Sequence, residues 1–276
     1  MAVIHLNGTL VETSSARIHP ADRGLLLADG LFETLRVYNG RPFRLEQHLH
    51  RLAAGAALLD IPIPPANPLA TAIAETLSAN KHRDASVRVT LTRGPGPRGL
   101  LPPGEVSPTL LITSQPMAET NPQPLSACFV GARRNEHSPL SRLKTLAYLD
   151  NVLALRDAVE AGYDEALLMN TAGRLASGSR SNLFLVLDGV LMTPPASEGV
   201  LPGIARNTLL EIAAQAGIAS REAPLEPSDL NRASEVFVSN SLLELRHLTR
   251  VDDREFQPGP VGIELGRLYA EMARRA

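Results

Sequence analysis

Residues 177–206 read SGSRSNLFLVLDGVLMTPPASEGVLPGIAR. Two apolar runs, NLFLVL and VLMT, flank Asp188 and Gly189, a dipeptide that tolerates positive φ and so favours a two-residue antiparallel hairpin. The segment then enters LPGIARNTLLEIAAQAG, a helix with Pro202 and Gly203 at its first turn and Gly217 at its end. A helix entered through a Pro-Gly turn presents unpaired backbone N–H groups, which suit an anionic phosphate. Hairpin followed by helix is the pattern to look for in the rest of the chain.

Working outward, EVFVSNSLLEL reads as a late strand and GRLYAEMARRA as a closing helix. Upstream lie the strand-like SACFVGARR, a helix from about Thr145 with Tyr148, Val152, Leu155 and Val159 as its apolar stripe, and the strand EALLMN. Further back, AVIHL turns at Asn7-Gly8 and LFETLRVY at Asn39-Gly40, both hairpin signals. FRLEQHLHRLAAGAALL follows as a helix with Leu45, Leu49, Leu52, Ala56 and Leu59 on one face, then the strands ASVRVTLT and PTLLITS. Proline and polar residues take over from Gln115 to Pro124, which reads as a linker between domains 1–119 and 120–276. Antiparallel hairpins mixed with helices, in two halves, imply an α+β chain whose site lies at the domain interface.

With 276 residues, 44% of them hydrophobic, the chain is long enough for two domains with cores of their own. A formal net charge of −2, with arginines scattered along the sequence, leaves no basic excess for a phosphate backbone, so nucleic acid is not an expected partner. Cys128 is the single cysteine, which excludes an internal disulfide and a cysteine-based metal site; it reads as a buried small residue in a reducing compartment. No apolar run approaches the roughly 20 residues that span a bilayer. The start, MAVIHLNGTLVE, lacks the charged beginning and apolar stretch of a signal peptide, so a cytoplasmic protein without a membrane partner is expected.

Three signals fail in context. GPGPRG at 94–99 matches GxGxxG in letters, but the prolines at 95, 97, 102 and 103 impose an extended loop where a dinucleotide site needs a helix. Glu46, His48 and His50 stand two apart on a helix and point to different faces, so no metal is expected and they read as a solvated surface. The serines of LASGSRSN lack the GxSxG elbow of a hydrolase.

Lysine is the scarce residue: only Lys81 and Lys144 stand beside twenty-five arginines. Guanidinium serves for ion pairs but stays protonated, whereas a desolvated lysine can lose its proton and form an imine. Lys81, in ANKHRD, reads as a solvated loop residue. Lys144, in LSRLKTLAYLDN, is apolar on both sides; it is either a reactive amine or a side chain that snorkels from a partly buried helix. A phosphate-binding helix start, an arginine such as Arg51 beside an apolar stripe, the hydroxyl of Ser241 and an amine together describe a pyridoxal phosphate site.

DRGLLLADGLFETLRVYNG, FRLEQHLHRL, KTLAYLDN and SGSRSNLF through LPGIAR resemble, essentially end to end, the class IV, fold-type IV pyridoxal phosphate enzymes. That family includes branched-chain aminotransferases, D-amino acid aminotransferases and aminodeoxychorismate lyases. The resemblance implies a two-domain fold-type IV enzyme with pyridoxal 5'-phosphate at the domain interface, held mainly by the C-terminal domain. It implies Lys144 as the Schiff-base lysine and general base at the substrate carbon. It further implies Arg51, the backbone of Ile204 and Ala205, and Ser241 at the phosphate, Tyr148 near the ring, and Phe32, Arg98 and Arg180 toward the substrate. Asn182 and Phe184 match the motif as structural residues. A homodimer is implied, with the segments 22–30 and 93–99 as the crossing points.

One position departs from the pattern. The family's glutamate facing the pyridine nitrogen is Ser177 here, and a hydroxyl cannot keep that nitrogen protonated as a carboxylate does. No neighbouring acid replaces it, since Asp164 and Glu165 precede a different strand. Some pyridoxal phosphate enzymes that perform eliminations carry serine at that place, which tilts toward lyase chemistry. RGPGPRG and KTLAYLDN resemble both the D-amino acid and the lyase branches, VYNG the former and FETLRV the latter. The reading is an aminotransferase that takes an amino donor, D-amino acids foremost, and a 2-oxo acid. Its alternatives are an aminodeoxychorismate lyase releasing pyruvate and p-aminobenzoate, and a pyridoxal-binding protein whose turnover has been lost.

Overall fold

The computed structural model describes residues 2–117 and 123–275; the linker expected between Gln115 and Pro124, and the domain boundary near 120, fall largely on residues outside these. The chain divides into two compact units. One takes the residues before the linker together with Leu143–Ala147, and the other takes those after it, up to Arg142 and again from Tyr148.

The first unit contains β1 (Val3–Leu6), β2 (Thr9–Glu12), α1 (Arg23–Leu27), β3 (Gly30–Tyr38), β4 (Arg41–Pro42), α2 (Leu45–Leu58), α3 (Ala66–Asn80), β5 (Ala85–Thr92) and β6 (Thr109–Pro116). Its strands pair antiparallel in the order β2-β1-β6-β5-β3-β4. Asn7-Gly8 and Asn39-Gly40 make the β1–β2 and β3–β4 turns, all four residues at positive φ as such turns require. Leu31, Leu35 and Val37 of β3 and Val87, Val89 and Leu91 of β5 form the core with Leu49, Leu52 and Ala56 of α2 and Leu69, Ile73 and Leu77 of α3. The expected stripe of α2 is therefore its buried face, with Leu45 and Leu59 partly buried at its ends. His48 belongs to that face too. It is 1% exposed and hydrogen-bonded to Glu33, which corrects the expectation of a solvated surface there.

The second unit contains β7 (Leu125–Arg134), α4 (Leu149–Glu160), β8 (Glu165–Asn170), β9 (Leu175–Gly178), β10 (Asn182–Leu187), β11 (Val190–Thr193), α5 (Ile204–Gln215), β12 (Ser220–Glu222), β13 (Ala233–Asn240), β14 (Glu244–Val251), β15 (Arg254–Glu255) and α6 (Pro260–Arg275). The sheet runs β12-β11-β10-β13-β14-β7-β8-β9, and β9 also pairs with β10, so six strands form a closed circuit. Leu167, Leu183, Leu185, Val236, Val238 and Leu248 are part of the core that this unit buries. The Asp188-Gly189 hairpin joins β10 to β11 as expected. EVFVSNSLLEL proves to be the two arms of a second hairpin, turning at 241–243.

The helix expected from Thr145 begins at Leu149, and its stripe is out of phase. Val152 and Val159 are 58% exposed, whereas Asn151, Ala154 and Ala158 are buried. Small side chains let α4 approach the sheet closely, where Ala154 and Ala158 cluster with Cys128, Ala166 and Leu168. No helix among the described residues is long and apolar enough to cross a membrane.

Candidate active site

In the first unit the site residues gather on β3. Leu143–Ala147 runs beside the start of that strand: Phe32 N donates to Lys144 O at 2.9 Å, Leu146 N donates to Gly30 O at 3.0 Å, and Leu31 bridges Thr145. Gly30 permits this approach, because a Cβ there would strike Leu91 O and the Leu146 side chain. Lys144 is thus held by backbone pairing rather than by a helix, and its Nζ lies 4.4 Å from the centre of the Phe32 ring. Arg88 Cζ lies 3.8 Å from the centre of the same ring. The register explains the second contact. Phe32 pairs with Thr90 across β3 and β5, so Arg88 is its diagonal neighbour, within reach of a long side chain.

On the opposite face of β3, Glu33 points at α2. Arg51 Nε donates to its Oε1 at 2.7 Å and Arg51 Nη2 to its Oε2 at 2.8 Å, while His48 Nδ1 is 2.7 Å from Oε2. Burial pushes this carboxyl's pKa up, but the Arg51 charge and the bonds from His48 and Arg51 outweigh it and hold it at about 2. Burial lowers the pKa of His48, against the pull of Glu33, with the Arg51 and Lys144 charges adding to the lowering. A neutral ring carrying its proton on Nδ1 therefore donates to the carboxylate.

Arg98 is exposed on the loop after β5. That loop is tied to α1: Arg23 N donates to Gly94 O, and the Arg23 guanidinium donates to Gly99 O and Leu100 O at 3.0 and 2.9 Å. Asp29 joins Arg23 and Arg93 through one oxygen, at 2.8 Å from each.

In the second unit, Gly203 precedes α5, and no side chain caps that helix. The N–H groups of its first turn, those of Ile204 and Ala205 among them, therefore lack the intrahelical partner that later residues have. A Cβ at Gly203 would collide with Asn182 Oδ1, whose amide nitrogen donates to Leu201 O at 2.9 Å. Asn182 thus fixes the entry to the helix, in line with a structural role. Ser241 lies half-buried in the β13–β14 turn, which Asn240 organises by accepting from Leu242 N and Leu243 N and donating to Arg180 O. Arg180 itself is half-exposed, 3.8 Å from Glu165. Tyr148 stands half-buried at the N-cap of α4. Ser177 is buried, donating to Gly178 O at 2.9 Å and accepting from Arg134 Nε at 3.3 Å.

Residues 30–251 match the family model described as amino-transferase class IV. This chain belongs to the class IV aminotransferases. It is 37% identical to a Methanocaldococcus jannaschii protein provisionally named a branched-chain-amino-acid aminotransferase, over 94% of this chain and 91% of that one. A D-alanine aminotransferase of Listeria innocua is 30% identical over 98% and 96%. An aminodeoxychorismate lyase of Bacillus subtilis is 30% identical over 97% and 93%. Among solved structures, the branched-chain aminotransferase of Thermoproteus uzoniensis with norvaline superposes with a TM-score of 0.94, at 29% identity, over 99% of this chain and 95% of that one. The fold is fold-type IV, the class is α+β, and the cofactor of this enzyme family is pyridoxal 5'-phosphate.

The side chains of this class IV aminotransferase fit that cofactor. The first unit carries an amine on a backbone-pinned segment, an aromatic ring against it and a guanidinium oriented by a buried carboxylate; the second carries an uncapped helix start; these are group types that suit an aldehyde and a phosphate. Arg51 meets Glu33 through Nε and Nη2, a two-point contact that fixes the plane of its guanidinium. Sequence reasoning passed over Glu33, Arg88 and Arg134 and read His48 as solvated surface. Only Arg88 carried a local signal, a charge at an alternating position of a strand; the other three acquire partners distant in sequence.

Proposed function

We propose that this class IV aminotransferase moves an amino group between an α-amino acid and a 2-oxo acid, with Lys144 as the amine that anchors the cofactor and exchanges protons at the substrate carbon. The observation that carries this reading is the placement of Lys144 Nζ and the Arg88 guanidinium on one aromatic ring, that of Phe32. A primary amine and a group that binds carboxylates in bidentate fashion thereby pack on the same side chain. Bound pyridoxal 5'-phosphate supplies the electron sink for charge at the substrate carbon. As general base, Lys144 would take the proton from that carbon onto Nζ and hold it there as an ammonium until it is handed back, a contribution of roughly 10²–10⁴ in rate. By the family resemblance, the N–H groups of Ile204 and Ala205, the Ser241 hydroxyl and the Glu33-oriented Arg51 would hold the phosphate, and Tyr148 would lie near the ring.

Branched-chain amino acids are the favoured substrate class, since the relative at 37% identity and the Thermoproteus structure both carry that name. D-Amino acids, foremost from sequence alone, are the second reading; the exposed Arg98 of the RGPGPRG loop and the Listeria relatives favour it. Mixing the holoprotein with L-leucine is expected to convert bound cofactor to its pyridoxamine form, seen by absorbance, with release of the 2-oxo acid. Conversion by D-alanine alone moves the assignment to the second reading. Consumption of aminodeoxychorismate to p-aminobenzoate, with no amine form from any amino acid, sinks amino transfer altogether.

A homodimer belongs to the same proposal. Leu25, Leu26 and Leu27 of α1 and Leu100 and Leu101 of the adjoining loop are exposed, and Arg23 ties the two segments together. An apolar face of this kind fits a second copy of the chain. Sedimentation at twice the chain mass is expected; a monomer throughout the assay range contradicts it.

A further inference from the structure

Ser177 touches a cation at the position where the family motif has a glutamate. Its Oγ accepts from Arg134 Nε at 3.3 Å, and Arg134 Nη1 donates to Asn151 Oδ1 at 3.3 Å. Asn151 in turn donates through Nδ2 to Ser179 O. Arg134, at the end of β7, is so stretched between α4 and β9. Glu165, which is fully buried, is an acid bonded to the turn that follows Ser177. Its Oε1 accepts from Ala166 N, Ser179 N and Ser179 Oγ, and its Oε2 accepts from Ser181 Oγ and faces Arg180. A carboxylate has about four lone-pair sites, and here they serve the 178–181 turn rather than Ser177.

The Ser177 hydroxyl accepts from the Arg134 guanidinium and gives its one proton to Gly178 O at 2.9 Å, a bond it exchanges when the hydroxyl turns toward another acceptor. Toward an aromatic nitrogen it can therefore act as a donor, which favours the unprotonated base; a pyridinium N–H would need an acceptor and would sit near positive charge. We propose that Arg134, acting through Ser177, holds the ring nitrogen of bound pyridoxal 5'-phosphate unprotonated. This rests on the reading, carried from the family motif, that residue 177 faces that nitrogen. Arg134 is then a positioning residue: it sets which way the Ser177 hydroxyl points, and so limits how strong an electron sink Lys144 has to work with. Burial draws the Arg134 pKa below its ordinary value, while Tyr148 and Asp150 at the start of α4 and Glu165 on β8 favour its cation.

The test is the nitrogen-15 shift of cofactor labelled at the ring nitrogen, recorded on the holoprotein across the neutral pH range. The wild type is expected to show the unprotonated value throughout, and Ser177→Glu the pyridinium value. Arg134→Gln should let the nitrogen take up a proton as pH falls, and Arg134→Lys should restore the wild-type behaviour. A pyridinium shift in the wild type overturns the proposal even if Arg134→Gln does not fold, and so does an Arg134→Gln shift identical to wild type. Borohydride reduction followed by mass mapping separates this from failure of the underlying reading. Cofactor absent from Lys144, or a Ser177→Glu shift unmoved from wild type, overturns the placement of the site; cofactor on Lys144 with a protonated wild-type nitrogen overturns only the role of Arg134.

Discussion

Lys144→Arg is expected to abolish amino transfer while leaving the fold in place. The segment around it is pinned by backbone bonds, Phe32 N to Lys144 O and Leu146 N to Gly30 O, which no side-chain change removes. The cation that lies 4.4 Å from the Phe32 ring centre is kept as guanidinium, so the cation–π contact, about 0.5–1 kcal/mol at an accessible site, is retained. What disappears is a nitrogen that can shed its proton and bond to a carbonyl carbon. The half-reaction rate should fall by at least ~10², within the range for loss of a positioned base, and reduction with borohydride should no longer fix cofactor to the chain. Thermal unfolding should move by only a few degrees. Lys144→Ala separates the two contributions, since it loses the ring contact as well. Turnover by Lys144→Arg above about one hundredth of wild type would remove Lys144 from the chemistry.

Which parts of this were legible in the sequence follows from the range of the forces involved. Asn7-Gly8, Asn39-Gly40 and Asp188-Gly189 were legible because positive φ is a property of the residue itself. The stripe of α2 was legible because one arc of that helix is both apolar and buried. On α4 the period was right and the phase was not. Periodicity marks an apolar arc, but Ala154 and Ala158 won the sheet because small residues allow close approach, leaving Val152 and Val159 outside. Leu143–Ala147 was expected to lead into a helix; its pairing with Gly30 and Phe32, more than a hundred residues upstream, has no local signature. The candidate site residues divide in the same way. Lys144, Ile204 and Ala205 stood out by rarity or by turn chemistry, whereas Glu33 and His48 take their meaning from each other across fifteen residues of sequence. Ser177 was visible as a departure, but the partner it found, Arg134, was not.

Glu33→Gln is the substitution expected to cost the most stability. Glu33 is 1% exposed at its side chain and compensates the Arg51 guanidinium, itself 15% exposed. Removing one partner of a buried pair leaves the other charge uncompensated, at a cost of about 3–5 kcal/mol. The pH dependence gives an independent measure of the same interaction. The Glu33 pKa is depressed from 4.5 to about 2 on folding, so its stabilisation is present above pH 4.5 and is lost as pH falls toward 2. A shift of that size corresponds to roughly 3 kcal/mol. His48 acts in the same direction from a higher pH. Its folded pKa lies below 6.5, so below that value the unfolded chain takes the proton first and the native state weakens as pH drops. His5 and His247, also lowered by burial, add to this upper limb. Urea unfolding of the wild type should thus lose stability in two stages, one beginning near pH 6.5 and one between 4.5 and 2. In Glu33→Gln the lower stage should shrink by the contribution of one carboxylate while the upper stage persists. Because the same carboxylate orients Arg51, cofactor phosphate should also bind more weakly to the folded variant. Retention of the full lower stage in Glu33→Gln would assign the acid sensitivity to other carboxylates and leave Glu33 as a packing residue.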